Sequence, residues 1–215
     1  MNTSPPTRNR RWLFILGFAV CILLCVILFP RRGAGPGPVS LPEVPRAQLT
    51  LRDGCFYQAG ANVPFTGFVT ERYPGGGLKC RSVVSNGLLE GLSAGWHTNG
   101  QQQVEEYFHA GISHGHRTKW HENGSKQSEA DIAEGKIQGL FRRWHDNGRL
   151  AEEITMNNGE PEGLSRAYYP NGQIKAEVEL RHGEVVKRQY WDEAGKVAAP
   201  QANPVLAQSP GPPKP

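Results

Sequence analysis

WHTNG at residues 96–100 returns as WHENG at 120–124, WHDNG at 144–148 and YYPNG at 168–172, so one pentapeptide recurs every 24 residues. Asn-Gly between alternating apolar and polar residues marks a β-hairpin turn. Glycine spacing carries the period outward in both directions. Gly76, Gly100, Gly124, Gly148 and Gly172 form one ladder, Gly67, Gly91, Gly115, Gly139 and Gly163 a second, and Gly87, Gly111, Gly135, Gly159 and Gly183 a third; 15 of the 26 glycines keep the step. A fixed period of this length marks a repeat array in which each unit is one supersecondary element.

Pro74 and Pro170 stand one residue before the Asn position, which is Gly75 in the first unit. Pro suits the second place of a type I turn and Gly the fourth, which predicts a three-residue loop closed by a left-handed Gly. Four residues before that Gly come Trp96, Trp120, Trp144 and Tyr168, with Arg72 at this place in the first unit and Trp191 before Gly195 in the last. Phe68, Leu92, Leu140 and Leu164 alternate onto the aromatic face. Beyond the turn, Val84, Phe108, Ile132, Met156 and Leu180 continue an apolar face, while Glu105, Glu129, Glu153 and Glu177 line the opposite one. An odd loop keeps the two apolar sets in phase. The same register makes Lys119 and Glu129, Arg143 and Glu153, and Glu71 and Arg81 diagonal neighbours.

These readings predict an all-β chain: an elongated single-layer antiparallel β-meander of five 24-residue hairpins over 53–196, with half-units at Gly54–Tyr57 and Lys187–Trp191. Residues 12–29 read WLFILGFAVCILLCVILF, 18 apolar positions without a charge, and a helix of that length reaches roughly 27 Å, enough to span a bilayer. A cleaved signal peptide fits less well, because its apolar core is shorter and ends at small residues. Lipidation at Cys25 fits less well still, because Leu24 occupies the place of a small residue. Arg8, Arg10 and Arg11 favour a cytoplasmic tail over 1–11, leaving the array extracytoplasmic. A single-pass protein of a bacterial inner membrane is therefore expected, with a Pro/Gly-rich linker over 30–52 and a disordered Pro-rich tail over 197–215.

The formal net charge of +4 belongs to the termini, since residues 47–196 hold 17 Lys/Arg against 19 Asp/Glu. That balance lacks the basic footprint of a nucleic-acid binder.

The pattern YYPNGQIKAEVELRHGE at 168–184 and PFTGFVTERYPGG at 64–76 resembles MORN-repeat variant proteins, including YwqK-type toxin-antitoxin antitoxins, over about residues 53–196. Arg72 departs from the aromatic pattern. The resemblance implies a one-layer twisted meander used for interactions, with no catalytic residues to carry over.

His97, His121 and His145 share one repeat position. Equivalent residues lie two strands apart, roughly 9.5 Å, too far for one ion with ligands at about 2.0–2.1 Å. His114 and His116 form an H-x-H pair without an evident third ligand, so these histidines read as solvated. By the same spacing the Glu105 to Glu177 ladder reads as a solvated face rather than a Ca²⁺ surface. Cys55 and Cys80, one strand apart, would have Cα atoms roughly 9–10 Å apart, outside disulfide range without distortion. Cys21 and Cys25 read as apolar fillers of the membrane run. No nucleophile elbow, metalloprotease pattern or phosphate-binding loop is present, so neither catalysis nor a cofactor or metal is expected. The expected function is a membrane-tethered scaffold binding a protein partner through Trp96, Trp120, Trp144 and Tyr168, with Gly76, Gly100, Gly124, Gly148 and Gly172 as structural turn residues. An envelope structural or lipid-surface module is the alternative.

Overall fold

The computed structural model describes residues 40–199. The tail over 1–11 and the anchor expected at 12–29 lie outside the described residues; within these, no helix is long and apolar enough to cross a membrane.

The described strands are β1 (Glu43–Pro45), β2 (Leu49–Arg52), β3 (Cys55–Gln58), β4 (Gly67–Arg72), β5 (Leu78–Ser85), β6 (Leu88–Trp96), β7 (Gln102–His109), β8 (Ile112–Ser113), β9 (Gly115–Trp120), β10 (Lys126–Ala133), β11 (Lys136–Trp144), β12 (Leu150–Asn157), β13 (Glu160–Tyr168), β14 (Ile174–Arg181), β15 (Glu184–Trp191) and β16 (Val197–Ala198). From β4 to β16 they form one antiparallel meander in chain order, with β8 a short side pair of β7. The chain start differs from the simple meander. Residues 43–52, read from the sequence as linker, carry β1, one 3₁₀ turn and β2. β1 adds to the outer edge of β4 in parallel. The half-unit expected at Gly54–Tyr57 is not the next strand of the array, because β3 pairs with β2 in a separate two-stranded sheet. At the other end β16, within the expected tail, pairs with Tyr190 and Trp191.

Two kinds of turn alternate along the meander. At one end of the strands His145 N–H donates to Arg149 O at 2.8 Å and Gly148 N–H to His145 O at 2.9 Å, and the same pair of bonds recurs at Tyr73, His97, His121 and Tyr169. This is the three-residue loop with a left-handed closing Gly. At the other end Asn86-Gly87, Ala110-Gly111, Glu134-Gly135, Asn158-Gly159 and His182-Gly183 have positive φ at both residues, the signature of two-residue type I′ turns, which match strand twist.

The faces are phased differently from the sequence reading. Beyond each three-residue loop the register shifts again, leaving Lys79, Gln103, Gln127, Ala151 and Lys175 unpaired. One extra residue reverses which face every later side chain takes. Met156 therefore pairs with Gly139, and Leu140 with Thr155. Leu92 and Leu164 lie on the charged face, 37% and 38% exposed. The ion pairs shift by one residue as well: Arg142 meets Glu153 at 3.0 Å and Arg143 meets Glu152 at 3.1 Å, from opposite faces, in place of the expected Arg143–Glu153 diagonal.

The other face holds the buried side chains in two clusters. Ile132, Phe141, Ile154, Met156, Val178, Leu180 and Tyr190 belong to the larger, and Val44, Leu49, Phe65, Val69 and Val84 to the smaller. Cys55 and Cys80 are both free thiols.

Glu134 holds a left-handed conformation, φ +51°, with an exposed side chain. Asn tolerates this region far better than Glu, so Glu134→Asn is expected to stabilise the fold by about 0.5–1 kcal/mol. Urea unfolding checks this, and an unchanged or lowered midpoint would contradict the turn geometry.

Candidate interaction site

Each three-residue turn projects past the strand ladder, so its polar groups must find partners along the array. Tyr73 Oη donates to Trp96 O at 2.8 Å and Tyr169 Oη to Trp191 O at 3.0 Å. At the same repeat position, Nε2 of His97, His121 and His145 lies 2.9–3.0 Å from the carbonyls of Trp120, Trp144 and Tyr168. A carbonyl only accepts, so each Nε2 carries the proton and donates. This corrects the reading of these histidines as solvated: all three are half-buried. Two residues on, Asn99, Asn123, Asn147 and Asn171 donate through Nδ2 to carbonyls of the following turn at 2.7–3.2 Å. Each Asn Oδ1 also accepts the backbone N–H two residues ahead. The turn glycines Gly76, Gly100, Gly124, Gly148 and Gly172 have φ between +79° and +92°.

Trp96, Trp120, Trp144 and Tyr168 end β6, β9, β11 and β13, all half-buried beside these turns. The structure gathers two of them at one place. Trp144 and Tyr168 line an open cleft of about 480 Å³ with His121, Arg143, His145, Glu152 and Lys175, whereas Trp96 and Trp120 do not reach it. Lys126 Nζ stands 5.1 Å from the Trp144 ring centre, a favourable cation–π arrangement. The aromatic residues were evident from the sequence, but the polar lining was not. For its two histidines the signal was the column Tyr73, His97, His121, His145, Tyr169, whose two residue types share a hydrogen-bond donor.

Glu152 is the buried charge of the site, only 9% exposed. Burial pushes its carboxyl above the usual carboxylate range, while Arg143 at 3.1 Å pulls it back. Among the described residues no group of three His, Cys, Asp or Glu is placed to hold a metal ion.

The donor column and the buried carboxylate are separately testable. His121→Tyr restores a residue that two other units use and should leave stability near wild type, whereas His121→Phe, which strands the Trp144 carbonyl, should cost about 1–2 kcal/mol; equal midpoints for the two would remove the tether. A raised carboxyl stabilises the fold below its unfolded pKa of about 4.3. That contribution disappears as pH rises through the folded value. Glu152→Gln should therefore gain on the wild type between about pH 4 and pH 7, the interval above the unfolded value. A stability difference that stays flat or falls over this interval would show that Arg143 outweighs burial.

A family model described as MORN repeat variant matches residues 137–158 and 161–182. No curated protein matches the chain. Among solved structures, a protein of unknown function from Bacteroides fragilis NCTC 9343 is 13% identical over 65% of this chain and 94% of that chain, with a TM-score of 0.13. The two matched segments are the units that contribute Trp144 and Tyr168 to the cleft, and they support a MORN-repeat reading of the array.

Proposed function

We propose that this chain is a non-catalytic scaffold, tethered to a membrane through residues 12–29, whose extracytoplasmic repeat array docks a protein partner at the Trp144–Tyr168 cleft. The carrying observation is the cleft itself: two half-buried aromatics beside Arg143, Glu152 and Lys175, in about 480 Å³ open to solvent. Aromatic anchors in a concave patch with a few placed charges are the usual centre of a protein interface. The uncharged run at 12–29 supports the tether. The slight acidic excess over 47–196 speaks against anionic lipid as the ligand of the array and against nucleic acid. The resemblance to YwqK-type antitoxins makes an immunity-like partner the specific form of this reading; an envelope structural or lipid-surface role is the second form.

The test uses full-length protein recovered from alkali-washed membranes in detergent. A stoichiometric protein partner should copurify with wild type and with Trp144→Tyr, since Tyr168 holds that repeat position in the next unit, and should be lost with Trp144→Ser although β-type circular dichroism persists. Release of uncleaved protein by alkali overturns the tether. Equal capture by Trp144→Ser overturns the docking site, and binding of protein-free vesicles through the array favours the lipid-surface form.

A further inference from the structure

The aromatic cleft contains a place that the repeat fills with a side chain elsewhere. The extra residue after each three-residue loop is Lys79, Gln103, Gln127, Ala151 and Lys175 in successive units. Gln127 is half-buried, and its Nε2 stands 3.5 Å from Nδ1 of His121, at the outer limit of a hydrogen bond. One unit later the same position is Ala151, which lines the cleft of about 480 Å³ together with His145, the counterpart of His121. Where the preceding unit brings a carboxamide to its imidazole, this unit leaves open space beside Trp144 and Tyr168.

Polar capacity of both kinds is unused there. His145 Nε2 donates to the Tyr168 carbonyl at 3.0 Å, which leaves Nδ1 as the acceptor of a neutral ring. Among the described residues that Nδ1 has no hydrogen-bond partner, in contrast to His121. Lys175 Nζ, also at the cleft, lies 5.5 Å from the Tyr169 ring centre and makes no hydrogen bond among the described residues. The formal charges of the lining cancel, Arg143 and Lys175 against Asp146 and Glu152. A carboxylate or an ammonium entering from a partner would bring a charge that this balance does not compensate. A neutral group that both donates and accepts would not.

Given the docking role proposed for this cleft, we infer that its occupant is a glutamine side chain of the protein partner. The carboxamide N–H donates to His145 Nδ1, the carboxamide oxygen accepts from Lys175 Nζ, and the methylenes of the side chain lie over Ala151. The partner thereby restores the contact that Gln127 makes within the preceding unit. A hydroxyl has the same two capacities but not the reach, and glutamate has no N–H to give, so either leaves a polar group of the cleft unmatched.

Imidazole ¹⁵N spectra of the full-length protein in detergent test the inference, recorded at about pH 8, above the ordinary imidazole pKa. His145 is assigned by the signal lost in His145→Tyr. The probes are two blocked pentapeptides, Ser-Leu-Gln-Leu-Ser and Ser-Leu-Glu-Leu-Ser. The Gln probe should move the His145 Nδ1 resonance upfield, as expected of a nitrogen that accepts a hydrogen bond, and the Glu probe should not. Ala151→Gln, which installs the residue of two other units, should show the upfield resonance without any probe, respond to neither peptide and keep the wild-type circular dichroism. Equal shifts from the two probes, no shift from the Gln probe, or an undiminished response in Ala151→Gln overturns the inference. A resonance already upfield in the wild type that reverts on removal of 200–215 makes Gln201 or Gln208 of the tail the occupant and overturns a partner glutamine. Partner capture separates this inference from the docking reading. Capture lost in Trp144→Ser but equal for wild type and Ala151→Gln keeps the docking site and overturns its glutamine occupant, whereas capture indifferent to Trp144→Ser overturns both.

Discussion

Hydrogen bonds that reach one repeat along the sheet are the constraint on which this array depends. A hairpin turn extends beyond the last ladder pair, and without a second layer its backbone groups can be satisfied only by a neighbouring unit or by water. At the three-residue turns the Asn and His/Tyr donors reach forward to the next unit's carbonyls. At the type I′ turns the bonds run backward: N–H of Gly87, Gly111, Gly135 and Gly159 donates to carbonyls of Phe65, Leu89, Ser113 and Ile137 at 2.8–3.0 Å. The residues before Gly87, Gly111, Gly159 and Gly183 add a bond to a side chain of the preceding unit, as Ala110 N–H does to Glu90. Each unmet buried group would cost about 1–3 kcal/mol, so the period is held at both strand ends. The final unit shows the tolerance of the rule. Gly195 follows Gly172 by 23 residues instead of 24, and Tyr169 still reaches Trp191 because the loss is absorbed within β15.

The loop lengths were legible because turns with positive φ need recognisable residues. Asn-Gly, Pro and two of the three glycine ladders mark them, while the ladder from Gly67 to Gly163 lies in the strands themselves. The phase of the faces was not legible. It rests on the extra residue at 79, 103, 127, 151 and 175, occupied by Lys, Gln, Gln, Ala and Lys. A bulge whose extra residue keeps ordinary negative φ carries no glycine signature. A single uncounted residue then exchanged Leu140 and Leu164 with Phe141 and Ser165 on the buried face, which is why apolar alternation alone assigned the wrong set.

Of the candidate site, the aromatic positions stood out by periodicity, since Trp is rare enough for its recurrence to be informative. The histidines were visible and misread, because the distance between equivalent strands was weighed only against metal ligation. That distance rules out a shared ion and says nothing about a backbone carbonyl on the adjacent unit, which is what each ring meets. Glu152 and Lys175 carried no sequence signal and Arg143 was read as the partner of Glu153, since the convergence of the three depends on the second bulge.

The two apolar clusters are separated on the buried face by polar rungs. Ser82 and Ser93 share a 2.7 Å hydrogen bond, and Arg117 faces Glu106 at 3.5 Å with side chains 11% and 15% exposed. Burial and the adjacent Arg117 hold the Lys119 ammonium below its ordinary value. A buried ion pair returns little net stability after desolvation, so this stretch contributes specificity of register more than cohesion. Stability of a repeat array is a sum of unit and neighbour terms; here the apolar terms are concentrated toward β10 to β15. Trp144 and Tyr168 end β11 and β13, whose Phe141 and Ala167 lie in the larger cluster. Their cleft is thus built on the best-packed strands of the array, where the side chains that would meet a partner are already fixed and little ordering entropy remains to be lost on docking.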